Sequence, residues 1–320
     1  MNVCKLVVST EPGDPISAVF TDGSVVLTGT MLGKIWVYDI QRNSRQMLAG
    51  FSDDAVRGLF VQDGTLYATV GDLLCRQIRL GDPYDQLEMK FNRRSTSSGF
   101  KYIFQKFGQI TIFYPGMTTF MDVVSNSQSM CPFKLQQAMI MNVCPIDSYQ
   151  YLLLYSAFAI ADVSPPPPPK YKVVDVSSGE LRCEIPDSHI THAKFVNERC
   201  LIYFNGKSFV VFDLITKTEV NRFPNVHRSD VMGLDCSICL GESDSPPLVV
   251  SSAVNGSIVV WNYQTGKVVG SATLRQACFS LGFAYCLQGS LEGSHIHIAV
   301  SDDYGVHHVS ISSGEPPLQV

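Results

Sequence analysis

One short motif recurs along the whole chain and limits the folds that it can adopt. In each copy a strand-like segment ends in a large apolar residue, an acidic residue or its substitute follows, and a polar turn comes next. The acidic position recurs at residues 39, 79, 122, 175, 213, 262 and 311. Successive copies are 40, 43, 53, 38, 49 and 49 residues apart. This spacing predicts a repeat protein in which each copy contributes one small sheet.

The residues between these positions predict strands rather than helices. Short runs of β-branched and aromatic residues alternate with Gly, Asn, Asp and Ser turns, and few windows have a sustained helical spacing. Apolar residues make up 45% of the 320 residues and charged residues only 17%, which is ordinary for a strand-rich protein. We therefore expect an all-β fold.

The sixth copy carries four residues that together are typical of one family. His227 precedes a strand, Ser251 lies in the next strand, Asn255 opens a turn and Trp261 comes near the end of the strand that follows. Through these residues the chain resembles the WD-repeat family, in which a His, a Ser, a turn acid and a Trp form a structural hydrogen-bonded network. The resemblance implies one domain over residues 1–320, a closed seven-bladed β-propeller of four-stranded antiparallel blades.

The other copies depart from the family pattern at the Trp position. Tyr38, Met121, Val174, Phe212 and Ser310 stand there instead, so the hydrogen bonding of the family is expected to carry over to the individual blades much less well than the fold. The first strand, at residues 3–8, has no blade of its own and is expected to complete the outer edge of the last blade. Residues 317–320 are the alternative for that place.

Charge and composition narrow the classes of function. The net charge is −5, whereas a general nucleic-acid binder carries a basic excess, so nucleic acid is not the expected partner. Ten cysteines are scattered without paired spacing, which favours reduced thiols over a disulfide scaffold. The sequence has neither an apolar stretch typical of a signal peptide nor a run long enough to span a membrane. These features predict a cytoplasmic or nuclear protein.

Residues suited to catalysis or metal binding lack the partners that such chemistry needs. His227 and Ser251 could belong to a hydrolase triad, but the family resemblance assigns both to the structural network. Two cysteines in residues 236–239 have a zinc-ligand spacing without a second pair. His295 and His297 share one strand face without a carboxylate or cysteine at a fixed offset. We therefore predict no enzyme activity, no catalytic residue, no metal site and no cofactor.

Insertions near residues 92–101, 164–170 and 241–247 lengthen three of the predicted connections. The second contains five consecutive prolines at 165–169, which adopt an extended polyproline helix. This tract is either a ligand for the aromatic groove of a partner protein or a stiff spacer.

The first insertion lies in a basic, aromatic-rich stretch that contains Arg93 and Arg94. It is either a loop that docks an anion or a partner, or a solvated connector whose aromatic neighbours lie in the core. Ser95 and Thr96 follow the arginines at the spacing that basophilic kinases favour, which makes them candidate phosphorylation sites.

The strand order of such blades places the first two insertions on one rim, together with the connections at 51–54 and 225–228. The favoured function is a non-enzymatic protein–protein interaction scaffold, or one subunit of a larger assembly, that binds through this rim. The alternatives are an anionic-ligand binder, for phosphoinositide or RNA, and a propeller enzyme. The candidate partner-binding residues are Phe51, Asp53, Arg93, Arg94, Pro166, Pro167 and Arg228.

Overall fold

The chain forms short β-strands and turns wherever the structure describes it. The structure is a computed structural model that describes residues 8–9, 14–21, 24–62 without 51–54, 64–70, 74–79, 86–90, 102–106, 109–114, 119–122, 128–130, 138–143, 152–157, 170–175, 180–197, 199–235, 247–274, 287–292, 295–302 and 305–312. These residues include no helix that is long and apolar enough to cross a membrane. The expected all-β class is confirmed.

The described strands form seven antiparallel sheets of four strands each. The first sheet contains β2 (Ile16–Thr21), β3 (Val25–Thr30), β4 (Lys34–Asp39) and β5 (Ser44–Gly50). The second contains β6 (Val56–Gln62), β7 (Thr65–Val70), β8 (Leu74–Arg79) and β9 (Gln86–Lys90). The third contains β10 (Tyr102–Lys106), β11 (Gln109–Tyr114), β12 (Thr119–Asp122) and β13 (Gln128–Met130).

The remaining sheets follow the same order along the chain. The fourth contains β14 (Ala138–Val143), β15 (Leu152–Ala157), β16 (Lys170–Asp175) and β17 (Leu181–Ile185). The fifth contains β18 (His192–Phe195), β19 (Cys200–Phe204), β20 (Ser208–Asp213) and β21 (Thr218–Pro224). The sixth contains β22 (Val231–Asp235), β23 (Leu248–Ala253), β24 (Ser257–Asn262) and β25 (Val268–Thr273). The seventh contains β26 (Leu287–Glu292), β27 (His295–Asp302), β28 (Gly305–Ser312) and β1 (Val8–Ser9).

The recurring acidic position marks the end of a third strand in six sheets. Residues 39, 79, 122, 175, 213 and 262 are the last residues of β4, β8, β12, β16, β20 and β24. In the fifth sheet, Oδ1 of Asp213 accepts hydrogen bonds from the backbone amides of Ile215 and Thr216, at 2.8 and 3.0 Å. Oδ1 of Asn262 accepts the corresponding two amides of its own turn, at 2.9 and 3.0 Å. An amide oxygen can replace the carboxylate because both only need to accept these backbone bonds.

The N-terminal strand completes the edge of the last sheet. Val8 pairs with Val306 and Ser9 with Gly305, so β1 lies antiparallel to β28. The predicted edge strand at residues 3–8 therefore shares only residue 8 with the observed strand, which continues to residue 9. Residues 3–7 and the alternative segment 317–320 lie outside the described residues.

Neighbouring sheets pack through apolar side chains and close backbone contacts. The apolar clusters join the first sheet to the second, the fourth to the fifth, the fifth to the sixth, the sixth to the seventh and the seventh to the first. Gly29 in β3 lies against Val56 in β6, and Gly270 in β25 lies against Ile311 in β28. A Cβ atom at either glycine would overlap the neighbouring side chain, so these positions set how closely the sheets approach.

Side chains of the first strands also donate across the gap between sheets. Ser17 Oγ in β2 donates to the backbone carbonyl of Val56 in β6 at 2.5 Å. The Nε2 atom of His192 in β18 lies 3.0 Å from the carbonyl oxygen of Met232 in β22. These hydrogen bonds fix the orientation of neighbouring sheets, which otherwise pack through apolar side chains.

The prediction of a single closed seven-bladed propeller is wrong. Each sheet formed by the described strands is open, with two edges, and none closes. The first strand of each sheet packs against the first strand of the next sheet, in the order β14, β18, β22, β26, β2, β6 and β10. Between β10 and β14, at the two ends of this series, the described residues show no packing of similar extent. The motif specifies hydrogen bonds within a sheet, whereas closure depends on side-chain packing between sheets, which the motif does not encode. The structure is an all-β repeat of open four-stranded sheets.

Candidate functional site

The connector between β21 and β22, residues 225–230, is hydrogen-bonded to side chains of the sixth sheet. It lies on the same side of the sheets as the turn between β23 and β24, because alternate connections of antiparallel strands share one side. His227 points from the connector towards the sixth sheet, where Ser251 and Ser257 contact it directly. Trp261 is joined to it through Ser251.

A chain of hydrogen bonds joins the connector to the sixth sheet. The Nε2 atom of His227 lies 2.7 Å from Ser251 Oγ, and its Nδ1 atom lies 2.8 Å from Ser257 Oγ. The indole Nε1 of Trp261 donates to the same Ser251 Oγ at 3.2 Å. Three of the four residues predicted for the structural network are thus brought together.

Asn255, the fourth residue of the predicted network, has a different role. Its Oδ1 accepts a hydrogen bond from the backbone amide of Ser257 at 3.2 Å. The hydroxyl of Ser257, and not the Asn255 side chain, contacts Nδ1 of His227. A hydroxyl two residues further along the chain reaches the imidazole, while the Asn255 side chain is exposed on the turn.

The burial of these groups assigns the proton positions. The indole N–H of Trp261 can only donate, so Ser251 Oγ accepts from it. Ser251 is fully buried, whereas Ser257 is only partly buried and can also reach water. The arrangement that leaves no buried donor unpaired has Ser251 donating to Nε2 of His227 and Nδ1–H donating to Ser257. Burial lowers the pKa of His227 to about 4, which keeps the imidazole neutral, as this arrangement requires.

Aromatic packing holds the indole in place beneath the connector. The Trp261 ring lies 5.0 Å from the Phe209 ring and 5.5 Å from the Phe223 ring, measured between centroids. Both phenylalanines belong to the fifth sheet, so the sixth-sheet tryptophan also joins the two sheets. Aromatic pairs at such distances stabilise a core beyond simple burial.

The same geometry does not suit hydrolytic chemistry by this pair. A nucleophilic serine must reach a substrate carbonyl, and its histidine is oriented by a carboxylate on Nδ1. Ser251 is fully buried, and Nδ1 of His227 faces the hydroxyl of Ser257. The two residues anchor the connector.

Arg228 follows the anchored histidine and is exposed. The other arginines whose side chains the structure describes each have an intramolecular partner: Arg42 with Asp39, Arg45 with Trp36, Arg182 with Asp175, Arg199 with Asp213 and Arg222 with Glu219. Among the described residues, the Arg228 guanidinium has no hydrogen bond or ion pair. It is a cation next to an anchored residue and is open to an external partner.

The other candidate partner-binding and phosphorylation residues cannot be placed relative to this site. Phe51, Asp53, Arg93, Arg94, Pro166, Pro167, Ser95 and Thr96 lie outside the described residues. The strand bounds put residues 92–101 between β9 and β10, and most of 164–170 between β15 and β16. Residues 236–239, with their two cysteines, also lie outside the described residues, as does all of 241–247 except Pro247.

The seventh sheet contains a histidine pair that the sequence did not predict. The Nδ1 atom of His297 in β27 lies 3.0 Å from Nε2 of His308 in β28, and the two rings are stacked with centroids 5.2 Å apart. Burial, and then the charge of His297, lowers the pKa of His308 to about 4. Ala299 is the direct partner of His308 across the two strands, so His297 contacts His308 diagonally. Predicting this contact requires the register of β27 against β28. Among the described residues, no group of three His, Cys, Asp or Glu side chains could hold a metal ion.

Comparisons with known proteins bear on the fold alone. No protein-family model matches the chain, and no curated protein matches it. The crystal structure of the computationally designed Ika8 protein matches with a TM-score of 0.59 at 16% sequence identity, covering 96% of this chain and 100% of that chain. At this identity the likeness concerns the arrangement of strands and carries nothing about function. The resemblance to the WD-repeat family remains a prediction.

Proposed function

We propose that the chain is a non-enzymatic protein–protein interaction scaffold that binds a partner through the connector at residues 225–230. The observation that carries this proposal is the exposed guanidinium of Arg228, which has no hydrogen bond or ion pair among the described residues and follows an anchored His227. An interaction residue on a pre-ordered backbone loses little conformational entropy on binding. Arginine is also enriched among the residues that dominate binding energy in protein interfaces.

The chemistry of Arg228 defines what the partner presents. A planar guanidinium with five N–H donors suits a carboxylate, which can accept two of them side by side. We therefore expect an acidic side chain of the partner opposite Arg228. Nearby turns on the same side of the sheets, such as 205–207 with exposed Lys207, extend the surface that the partner can cover.

The test compares capture of proteins from native extract by three forms of the chain. Wild type and Arg42→Ala should retain the same partner in stoichiometric amount, and Arg228→Ala should lose most of it. Arg42 is a matched control because it is 84% exposed and lies in the turn between β4 and β5, on the opposite side of the sheets. Equal capture by all three forms, with equal melting temperatures, would contradict the proposal.

Salt dependence distinguishes a protein partner from the anionic-ligand alternative. Binding to RNA or a phosphoinositide surface through several charges weakens steeply as ionic strength rises. A protein interface with one central arginine and an apolar surround responds weakly. Loss of more than about tenfold in affinity between low and physiological salt would favour the anionic ligand.

We also propose that the chain works in the cytoplasm or nucleus. Cys183 and Cys200 are free thiols, and burial raises the pKa of Cys183 to about 11. Free, protonated thiols persist in reducing compartments. Microscopy of a fluorescent fusion tests this location, and a signal confined to the secretory pathway would contradict it.

A further inference from the structure

Two hairpin turns in neighbouring sheets contain the same dipeptide, Asn followed by Gly. Asn205-Gly206 connects β19 to β20, and Asn255-Gly256 connects β23 to β24. Both glycines have positive φ, 84° and 79°, which only glycine adopts at low cost. Glycine also leaves its own nitrogen unshielded, so that this nitrogen can attack the side-chain carbonyl carbon of the preceding asparagine.

The first of these asparagines is held at both ends of its amide. Nδ2 of Asn205 donates to Asp187 at 2.9 Å. Its Oδ1 accepts from the backbone amides of Ser208 at 2.9 Å and Lys207 at 3.2 Å. The amide must rotate towards Gly206 to react, and this rotation breaks all three bonds.

The second asparagine is held much less. Asn255 is exposed, and its Oδ1 accepts one bond, from Ser257 at 3.2 Å. Among the described residues, its Nδ2 has no partner. The backbone amide of Gly256 donates to the carbonyl of Ala253 at 2.9 Å, and the carbonyl of Gly256 accepts from the amide of Leu274 at 2.9 Å, so the turn must also open before the nitrogen of Gly256 can react. One bond therefore holds the side-chain amide of Asn255 among the described residues, whereas three bonds, one of them to a carboxylate, hold that of Asn205.

We propose that Asn255 is a site of spontaneous deamidation and that the structure protects Asn205. The nitrogen of Gly256 loses its proton to solvent base and forms a bond to Cγ of Asn255. The Cγ–Nδ2 bond breaks, and Nδ2 takes up a proton and leaves as ammonia. Water then adds to one carbonyl of the cyclic imide and opens it, giving aspartate or isoaspartate. No oxidant or reductant takes part.

The product changes the polar environment of the anchored connector. Aspartate at position 255 introduces a negative charge next to Ser257, whose hydroxyl lies 2.8 Å from Nδ1 of His227. A nearby negative charge favours the protonated imidazole. Isoaspartate adds a backbone atom to the turn and disturbs the pairing of β23 with β24. The modification therefore acts on the anchor of the connector, and its chemistry does not depend on the proposed function.

Peptide mapping by mass spectrometry tests the proposal on the full chain. After incubation in mildly alkaline buffer, the peptide with Asn255 should gain about one dalton and contain an isoaspartate fraction. This reaction should be at least about fivefold faster than that of the peptide with Asn205, because the free energy of about one additional hydrogen bond changes a rate by about this factor. In denaturing urea both peptides should react at similar rates, because both contain Asn-Gly. Asp187→Ala frees Nδ2 of Asn205 and should accelerate reaction there.

Two outcomes would overturn the proposal. Equal or faster reaction at Asn205 in the folded chain would show that the hydrogen bonds do not control the site. An unreactive Asn255 in the folded chain, with normal reactivity in urea, would show that the turn protects it as well.

Discussion

At the scale of single residues, the position before the last residue of the third strand is buried in four of the sheets. Trp261 occupies it in the sixth sheet, Phe212 in the fifth, Val174 in the fourth and Tyr38 in the first, and all four are buried. Burial raises the pKa of Tyr38, and a hydrogen bond with Thr28 opposes this. Thr28 and Tyr38 thus form a polar contact in the first sheet like that of Ser251 and Trp261 in the sixth.

Replacing Trp261 by Ala should strongly destabilise the chain. The change removes a fully buried ring that contacts two phenylalanines, and losses of about 3–5 kcal/mol are usual for such truncations. Trp261→Phe keeps a ring but leaves Ser251 without its N–H donor, so we expect a smaller loss of about 1–3 kcal/mol. Urea unfolding measures both, and a loss below about 1 kcal/mol for the alanine variant would contradict the described packing.

The residues of this network were proposed from the sequence because, in one copy, they match residues of the family that the chain resembles. His227, Ser251 and Trp261 are in hydrogen-bonded contact, as that resemblance implied. The pair of His297 and His308 could not be found in the same way. It depends on the diagonal register of β27 against β28, and alternation along single strands does not contain that information.

At the scale of elements, glycine is required for two different reasons, a positive φ in a turn and close packing between two sheets. Gly266, with φ of +71°, lies in the turn between β24 and β25, and an added Cβ would overlap the ring of Phe223 in β21. Gly206 has a similar φ of +84°, but nothing lies within 4 Å of the place where its Cβ would stand. A side chain at either position would carry the cost of a positive φ, but only a side chain at Gly266 would also disturb the packing between neighbouring sheets.

Gly266→Ala should therefore destabilise the chain more than Gly206→Ala. The conformation with positive φ costs a residue with a Cβ about 1–2 kcal/mol, and both variants carry that cost. Only Gly266→Ala must also displace Phe223, which adds about 1–3 kcal/mol for overpacking. Thermal or urea unfolding of the two variants measures the difference, and equal losses would show that Phe223 moves aside freely.

The elements themselves were more accessible to prediction than their assembly. Asp213 and Asn262 end their strands by accepting backbone amides of the turn, a local event that a short motif encodes. The predicted closure depends instead on contacts such as those of Gly29 with Val56, between residues from different copies. Nothing in a single copy specifies those partners, and the prediction was wrong at this level.

At the scale of the whole molecule, buried histidines make stability depend on pH. Burial lowers the pKa of His192, of His227 to about 4 and of His308 to about 4. The unfolded chain has ordinary values near 6.5 and so binds more protons at these histidines below about pH 6.5, for His227 and His308 down to about pH 4. Stability is therefore complete above this range and is lost as pH falls through it, by up to about 1.4 kcal/mol per pH unit for each histidine.

Urea unfolding at a series of pH values checks this dependence. The midpoint should fall between about pH 6.5 and 5, where carboxylates with ordinary values contribute little, and His308→Gln should make the fall shallower. A midpoint that does not change over this range would show that the histidines titrate normally in the folded chain.

The edge of the seventh sheet provides the last prediction, because β1 comes from the opposite end of the chain. Its two residues pair with Val306 and Gly305 of β28, and their removal exposes the backbone edge of β28. Deleting residues 1–9 should lower the free energy of unfolding by about 1–3 kcal/mol, from about two backbone hydrogen bonds of usual strength, and should increase self-association through the open edge. Deleting residues 317–320 is the matched control and should leave unfolding and sedimentation unchanged. The reverse result, with a stable N-terminal deletion and an unstable C-terminal one, would show that the C-terminal segment occupies this edge.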